Sequence, residues 1–126
     1  MKANELRIGN LVKWYDVSKV LELHSEKNKF DNVYIECEES FEWTEYNKLE
    51  PIPLTEEWLL KFGFLIIEIN GKFEATLPNF RYNIYWNKYT DGFLFCDGET
   101  VLINFYYVHE LQNLVFVLGQ RELTVA

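Results

Sequence analysis

The sequence predicts an α+β fold, mostly β, and three observations predict it. Short segments alternating apolar and polar residues occupy positions 6–46 and recur over 64–103, the period of half-buried strands. One well-capped helix signal separates the two groups. An apolar stripe at helical spacing follows the second group, over Val108 to Leu118. The expected architecture is an SH3-like small β-barrel over residues 1–54. An α+β module over 55–126 follows, with a short helix, an antiparallel meander and a C-terminal helix. The two are expected to pack as one compact unit.

Leu6 to Ile8 and Leu11 to Tyr15 read as short strands around a turn at Gly9-Asn10. Asp16 to Ser18 is a tight connection, and Lys19 to His24 alternates again. After a polar loop over Ser25 to Lys29, Val33 to Glu38 sets Val33, Ile35 and Cys37 against Tyr34, Glu36 and Glu38. Phe41 to Tyr46 sets Phe41 and Trp43 against Glu42 and Thr44. Pro51 and Pro53 lack backbone donors and end this run. Four or five short strands joined by tight turns suggest a closed or half-closed barrel.

The central helix starts at Thr55, whose hydroxyl can accept from a first-turn backbone N–H. Glu56 and Glu57 place negative charge at the positive end of the dipole. Leu54 and Leu59 have hydrophobic-staple spacing, and Gly63 suits the left-handed position past the helix end. Asn70-Gly71 between two apolar runs predicts a tight hairpin, as does Asp97-Gly98. Phe80, Tyr82, Ile84 and Trp86 share one face of a further strand. In the last helix Leu114 widens the stripe of Val108, Leu111, Val115 and Leu118, while Glu110, Gln112 and Asn113 supply a polar side. Gly119 is expected to end it, and Leu123 to Val125 to add a short closing strand.

The chain has 126 residues, 17% of them aromatic, and a formal charge of −8. Eleven acidic and seven basic residues precede Thr55, and nine acidic and five basic follow Leu54, so each part carries −4. Nucleic-acid binders draw affinity from counterion release against a positive surface, and this balance argues against that class. Neither a secretory leader nor a span-length apolar run is legible. A cytoplasmic setting is expected, where Cys37 and Cys96 stay reduced.

Three segments together resemble a family of small uncharacterised proteins of Bacteroides-type bacteria and their phages or prophages: Glu5 to Val12, Pro51 to Phe64, and Val108 to Leu118 with Arg121 to Leu123. The resemblance implies a bacterial cytoplasm and a mobile-element origin. It brings no assigned activity or catalytic residue.

No constellation names a reaction. His24, His109, Cys37 and Cys96 are scattered, whereas structural zinc sites pair ligands at short spacing. Neither cysteine has basic neighbours to lower its pKa. Asp91-Gly92 and Asp97-Gly98 lack the other ligands of a calcium loop. Glu36, Glu38, Glu39, Glu42 and Glu45 read as a solvated face rather than a paired acid and base. His109 is expected to make a structural hydrogen bond. No cofactor and no metal are expected.

Aromatic residues are in excess, and Tyr and Trp are favoured interface anchors. The reading is therefore a non-enzymatic protein-interaction module, with Trp14, Tyr15, Trp43 and Tyr85 as contact residues. Its expected partner is another protein or a second copy, not a nucleic acid or a membrane. One alternative is a nucleic-acid-related role, through Lys13, Lys19, Lys27 and Lys29 or as an acidic DNA mimic. A weaker one is a small hydrolase or metal enzyme using His109 with Glu110.

Overall fold

The computed structural model describes residues 1, 5–23, 33–69, 72–87 and 91–125. These form two units, each with its own antiparallel sheet. The first comprises Met1–Ile52 with Tyr107–Asn113, and the second Pro53–Tyr106 with Leu114–Ala126.

The first unit holds β1 (Leu11–Trp14), β2 (Asp16–Leu23), β3 (Val33–Glu36) and β4 (Phe41–Thr44), paired in chain order. One face buries Val12, Val20, Val33 and Ile35 completely, and Leu6 and Leu49 join that cluster. Alternation of β-branched residues produces this face, and each such side chain contributes about 1.5–3 kcal/mol. The sheet stays open, which corrects the expected SH3-like barrel. Closure needs the first and last strands to pair along their length, but β4 stops at Thr44 and a 3₁₀ turn over Tyr46–Lys48 diverts the chain. Only an isolated bridge then reaches the edge of β1, where Lys13 and Glu50 exchange two backbone hydrogen bonds of 2.9 Å. At the opposite edge, Glu42 is aligned with Ile35 on the core-facing side yet remains exposed. An inward-pointing charge on an edge strand discourages further pairing.

Local details also differ from the expectation. Asp16 to Ser18 are strand residues, and the chain reverses at Tyr15 alone, with φ +63°. The register slips between Val20 and Glu22, leaving Leu21 as the extra residue of a bulge. Leu6 to Ile8 form a loop rather than a strand. The fully buried Asn10 organises it, its Oδ1 accepting from Arg7 N–H at 2.7 Å.

That loop is held by α2 (Val108–Gly119), whose residues up to Asn113 belong to this unit. Gln112 is 1% exposed; its Nε2 donates to Gly9 O at 3.1 Å and its Oε1 accepts from Leu11 N–H at 2.8 Å. Asn113 Oδ1 accepts from Asn10 Nδ2 at 2.8 Å, and its Nδ2 donates to Glu5 O at 3.1 Å. The expected polar side of the helix is thus a clasp. Buried polar groups must find partners, and here each side chain supplies one to backbone that no strand satisfies.

In the second unit, α1 (Glu56–Lys61) follows its sequence signals closely. Thr55 Oγ1 accepts from Trp58 N–H at 3.3 Å. At the other end Phe64 N–H donates to Leu59 O and Gly63 N–H to Leu60 O, both at 3.0 Å. This is the Schellman pairing, and Gly63 adopts the left-handed φ of +91° that it requires.

The meander follows as β5 (Leu65–Ile69), β6 (Lys72–Thr76), β7 (Asn83–Asn87), β8 (Gly92–Asp97) and β9 (Thr100–Phe105), again in chain order. The expected Asn70-Gly71 turn lies outside the described residues, but Ile69 and Lys72 beside it are paired. The second hairpin turns at Gly98-Glu99, one residue later than expected, with Asp97 paired to Thr100. Gly98, at φ +61°, takes the first central position, as a type II′ turn demands. One sheet face buries Ala75, Ile84, Phe95 and Phe105 completely.

Leu123 is buried, but no strand forms over Leu123 to Val125. Gly119 is the last helical residue of α2 rather than its left-handed cap, a role taken by Gln120 at φ +50°. Its value is steric, because a Cβ there would collide with the Phe80 ring.

Candidate functional site

The feature best placed to act is the outer face of the first sheet. Strand alternation that buries Val33 and Ile35 sends Tyr34 outward, and Tyr34 is aligned with Trp43 across β3 and β4. Their ring centroids are 4.8 Å apart, and Phe41 stacks on Tyr34 at 6.1 Å and 17°. Phe41 is 58% and Trp43 42% exposed. Three rings thus form one open apolar patch. Exposed Lys19, Glu22 and Glu36 border it, with Glu22 aligned to Tyr34 and Lys19 to Glu36.

The four sequence-predicted contact residues have different fates. Trp43 lies within this patch. Tyr15 is 90% exposed at the tip of the first hairpin, with its ring 4.9 Å from Trp14 and edge-on at 75°. Trp14 is only partly exposed and packs against the core cluster. Tyr85 belongs to the second unit, half-buried in a polar knot where Asn83 Nδ2 donates to its hydroxyl at 2.9 Å and to Glu74 Oε1 at 3.0 Å. Burial, then the charge of Glu74, pushes the Tyr85 phenol above its ordinary range. Tyr34 and Phe41 were missed. The outward parity of Tyr34 was legible in β3, but the exposure of Phe41 follows from β4 being an edge, which no local pattern announces.

The chemical candidates do not assemble. His109 is 4% exposed, stacked on Tyr107 at 6.0 Å, and its Nδ1 has no hydrogen-bond partner among the described residues. The expected structural hydrogen bond is therefore absent at that nitrogen. Burial pushes its pKa down, and Glu110 and Glu5 pull weakly the other way. His24, Lys27 and Lys29 lie outside the described residues. Lys13 and Lys19 are exposed, as are Glu36, Glu38, Glu39 and Glu42, while Glu45 is half-buried.

Cys37 and Cys96 are both free thiols. Cys37 lines a shallow hollow with Asp16, Ser18, Lys19, Glu36 and Glu38. Ser18 Oγ sits 3.7 Å from Cys37 Sγ and 3.3 Å from Asp16 Oδ1, but among the described residues no histidine lines the hollow to act as base. Cys96 is 2% exposed, and burial raises its pKa. A buried protonated thiol is a poor nucleophile. Among the described residues, no three His, Cys, Asp or Glu are arranged to hold a metal ion. No described helix is long and apolar enough to cross a membrane.

The class defined by the described residues is an α+β protein, with two antiparallel sheets, of four and five strands, and two α-helices among them. No family model matches the chain, and no curated protein or solved structure is significantly similar to it.

Proposed function

We propose that this protein is a non-enzymatic protein-interaction module whose contact surface is the outer face of the first sheet. The observation that carries this reading is the exposed cluster of Phe41 and Trp43 around Tyr34. Rings held rigidly on strands offer contact area at little conformational cost, and such anchors dominate binding energy at interfaces. The two glutamates against one lysine on its border favour a protein surface over a phosphate backbone. With the resemblance expected from the sequence, to small proteins of Bacteroides-type bacteria, the setting we propose is a bacterial cytoplasm.

The test is the double variant Phe41→Ser, Trp43→Ser. Its sedimentation behaviour and its captured partners, identified by mass spectrometry from a Bacteroides-type bacterium or prophage carrier that encodes the chain, are compared with wild type. Retained circular dichroism with loss of a specific partner, or of self-association, is the expected result. An unfolded variant would show that the rings belong to the core, and unchanged binding would move the contact surface elsewhere.

A further inference from the structure

Five described side chains of the second unit line an open hollow of about 330 Å³: Glu56, Glu68, Phe73, Trp86 and Phe93. Four of them form one row across the sheet. Glu68 is aligned with Phe73 and Trp86 with Phe93. The register that aligns Glu74 with Tyr85 sets Phe73 across from Trp86. Glu56 enters from the first turn of α1. Phe93 is buried, with its ring 6.3 Å from that of Phe73 at 64°, and Trp86 remains 43% exposed. None of the described residues that line the hollow is basic, and neither carboxylate has a partner among the described residues.

Aromatic faces carry the negative end of the ring quadrupole, and a cation close to them is attracted. Two carboxylates at the same hollow add full negative charge. A neutral apolar ligand gains nothing from the glutamates, and an anion is repelled by both. The volume lies at the small end of ligand pockets, suited to one side chain rather than a cofactor. We infer that this hollow receives the cationic side chain of a lysine or arginine presented by a partner protein, its stem against Phe73 and Phe93 and its charge between Trp86 and the glutamates. The inference stands independently of the aromatic face of the first sheet.

The experiment is an NMR titration of the full chain, following the Trp86 indole N–H assigned by its loss in Trp86→Phe. The probes are N-acetyl-lysine methylamide, the arginine analogue, and the neutral isostere N-acetyl-norleucine methylamide. Saturable shifts with the lysine or arginine probe, and binding about tenfold weaker for norleucine, are expected from the strength of desolvated cation–π contacts. The exposed double variant Glu56→Gln, Glu68→Gln should fold normally, weaken the cation at least about threefold at low salt and leave norleucine unchanged. Trp86→Leu should abolish the preference for the cation. Equal binding of norleucine would reduce the hollow to an apolar dent, and no saturation by any probe would remove the site. Tighter binding of free tetramethylammonium than of the lysine or arginine probe would assign it to a small molecule instead of a protein.

Discussion

Replacing Gln112 by Leu tests the polar clasp of the first unit directly. The side chain is 1% exposed and serves two backbone groups, the N–H of Leu11 at 2.8 Å and the C=O of Gly9 at 3.1 Å. Leucine fills similar space but leaves both groups unpaired. Each lost partner costs about 1–3 kcal/mol when the group stays away from water. Part of this is offset because an amide is no longer buried, so a net loss of about 2–4 kcal/mol is expected. A chain of this size has roughly 6–19 kcal/mol of total stability, so the variant should fold but melt early. In urea denaturation followed by circular dichroism, a slope of about 1.5 kcal/mol per molar predicts a midpoint lowered by about 1.3–2.7 M. The slope itself should not change, because the surface exposed on unfolding is unaltered. A loss below about 0.5 kcal/mol would refute the reasoning, since the two backbone groups would then be finding other partners.

Gly63→Ala places a Cβ in open space but forces alanine to adopt φ +91°. A loss of about 1 kcal/mol is expected from conformational strain alone, and a thermal melt showing a gain would contradict the left-handed cap. Burial holds the His109 pKa below its ordinary 6.5, so on acidification the unfolded chain takes up the proton first. Stability should be complete above pH 6.5, fall as pH drops through the lower folded-state value and then level off. His109→Phe should remove that part of the slope, measured as the difference from wild type in urea melts at several pH values; parallel profiles would exclude His109 as its source. Cys37 is partly exposed and Cys96 is buried with a raised pKa. A thiol reagent should therefore modify Cys37 first, with Cys37→Ser abolishing the fast phase; two equally fast phases would mean that the second unit opens readily.

How far the sequence could be read depends on how local the governing interactions are. The signals of α1 lie within ten residues, Leu54 to Gly63, and cap, dipole and Schellman closure all appear at those positions. The β8–β9 hairpin was nearly legible, but its turn lies one residue later, at Gly98-Glu99. The register slip between Phe95 and Cys96 means that spacing alone did not determine strand pairing. The barrel expectation failed because closure depends on whether β4 reaches β1, a contact between distant segments. The same limit applies to the ring patch. Alternation separates Phe41 and Trp43 from Thr44, but not which set meets the core. The structure buries Thr44 and exposes the rings.

By itself, then, the sequence determined the α+β class, the capped helix, an antiparallel meander and the outward parity of Tyr34. Each of these depends on propensities and periods spanning a few residues. Only the tertiary structure decided that Gln112 is buried, that Gly119 makes room for Phe80 and that Glu68, Phe73, Trp86 and Phe93 stand in one row. Those outcomes rest on contacts between segments far apart in the chain. A side chain's polarity announces that it needs a partner or water, but not which of the two the fold will supply.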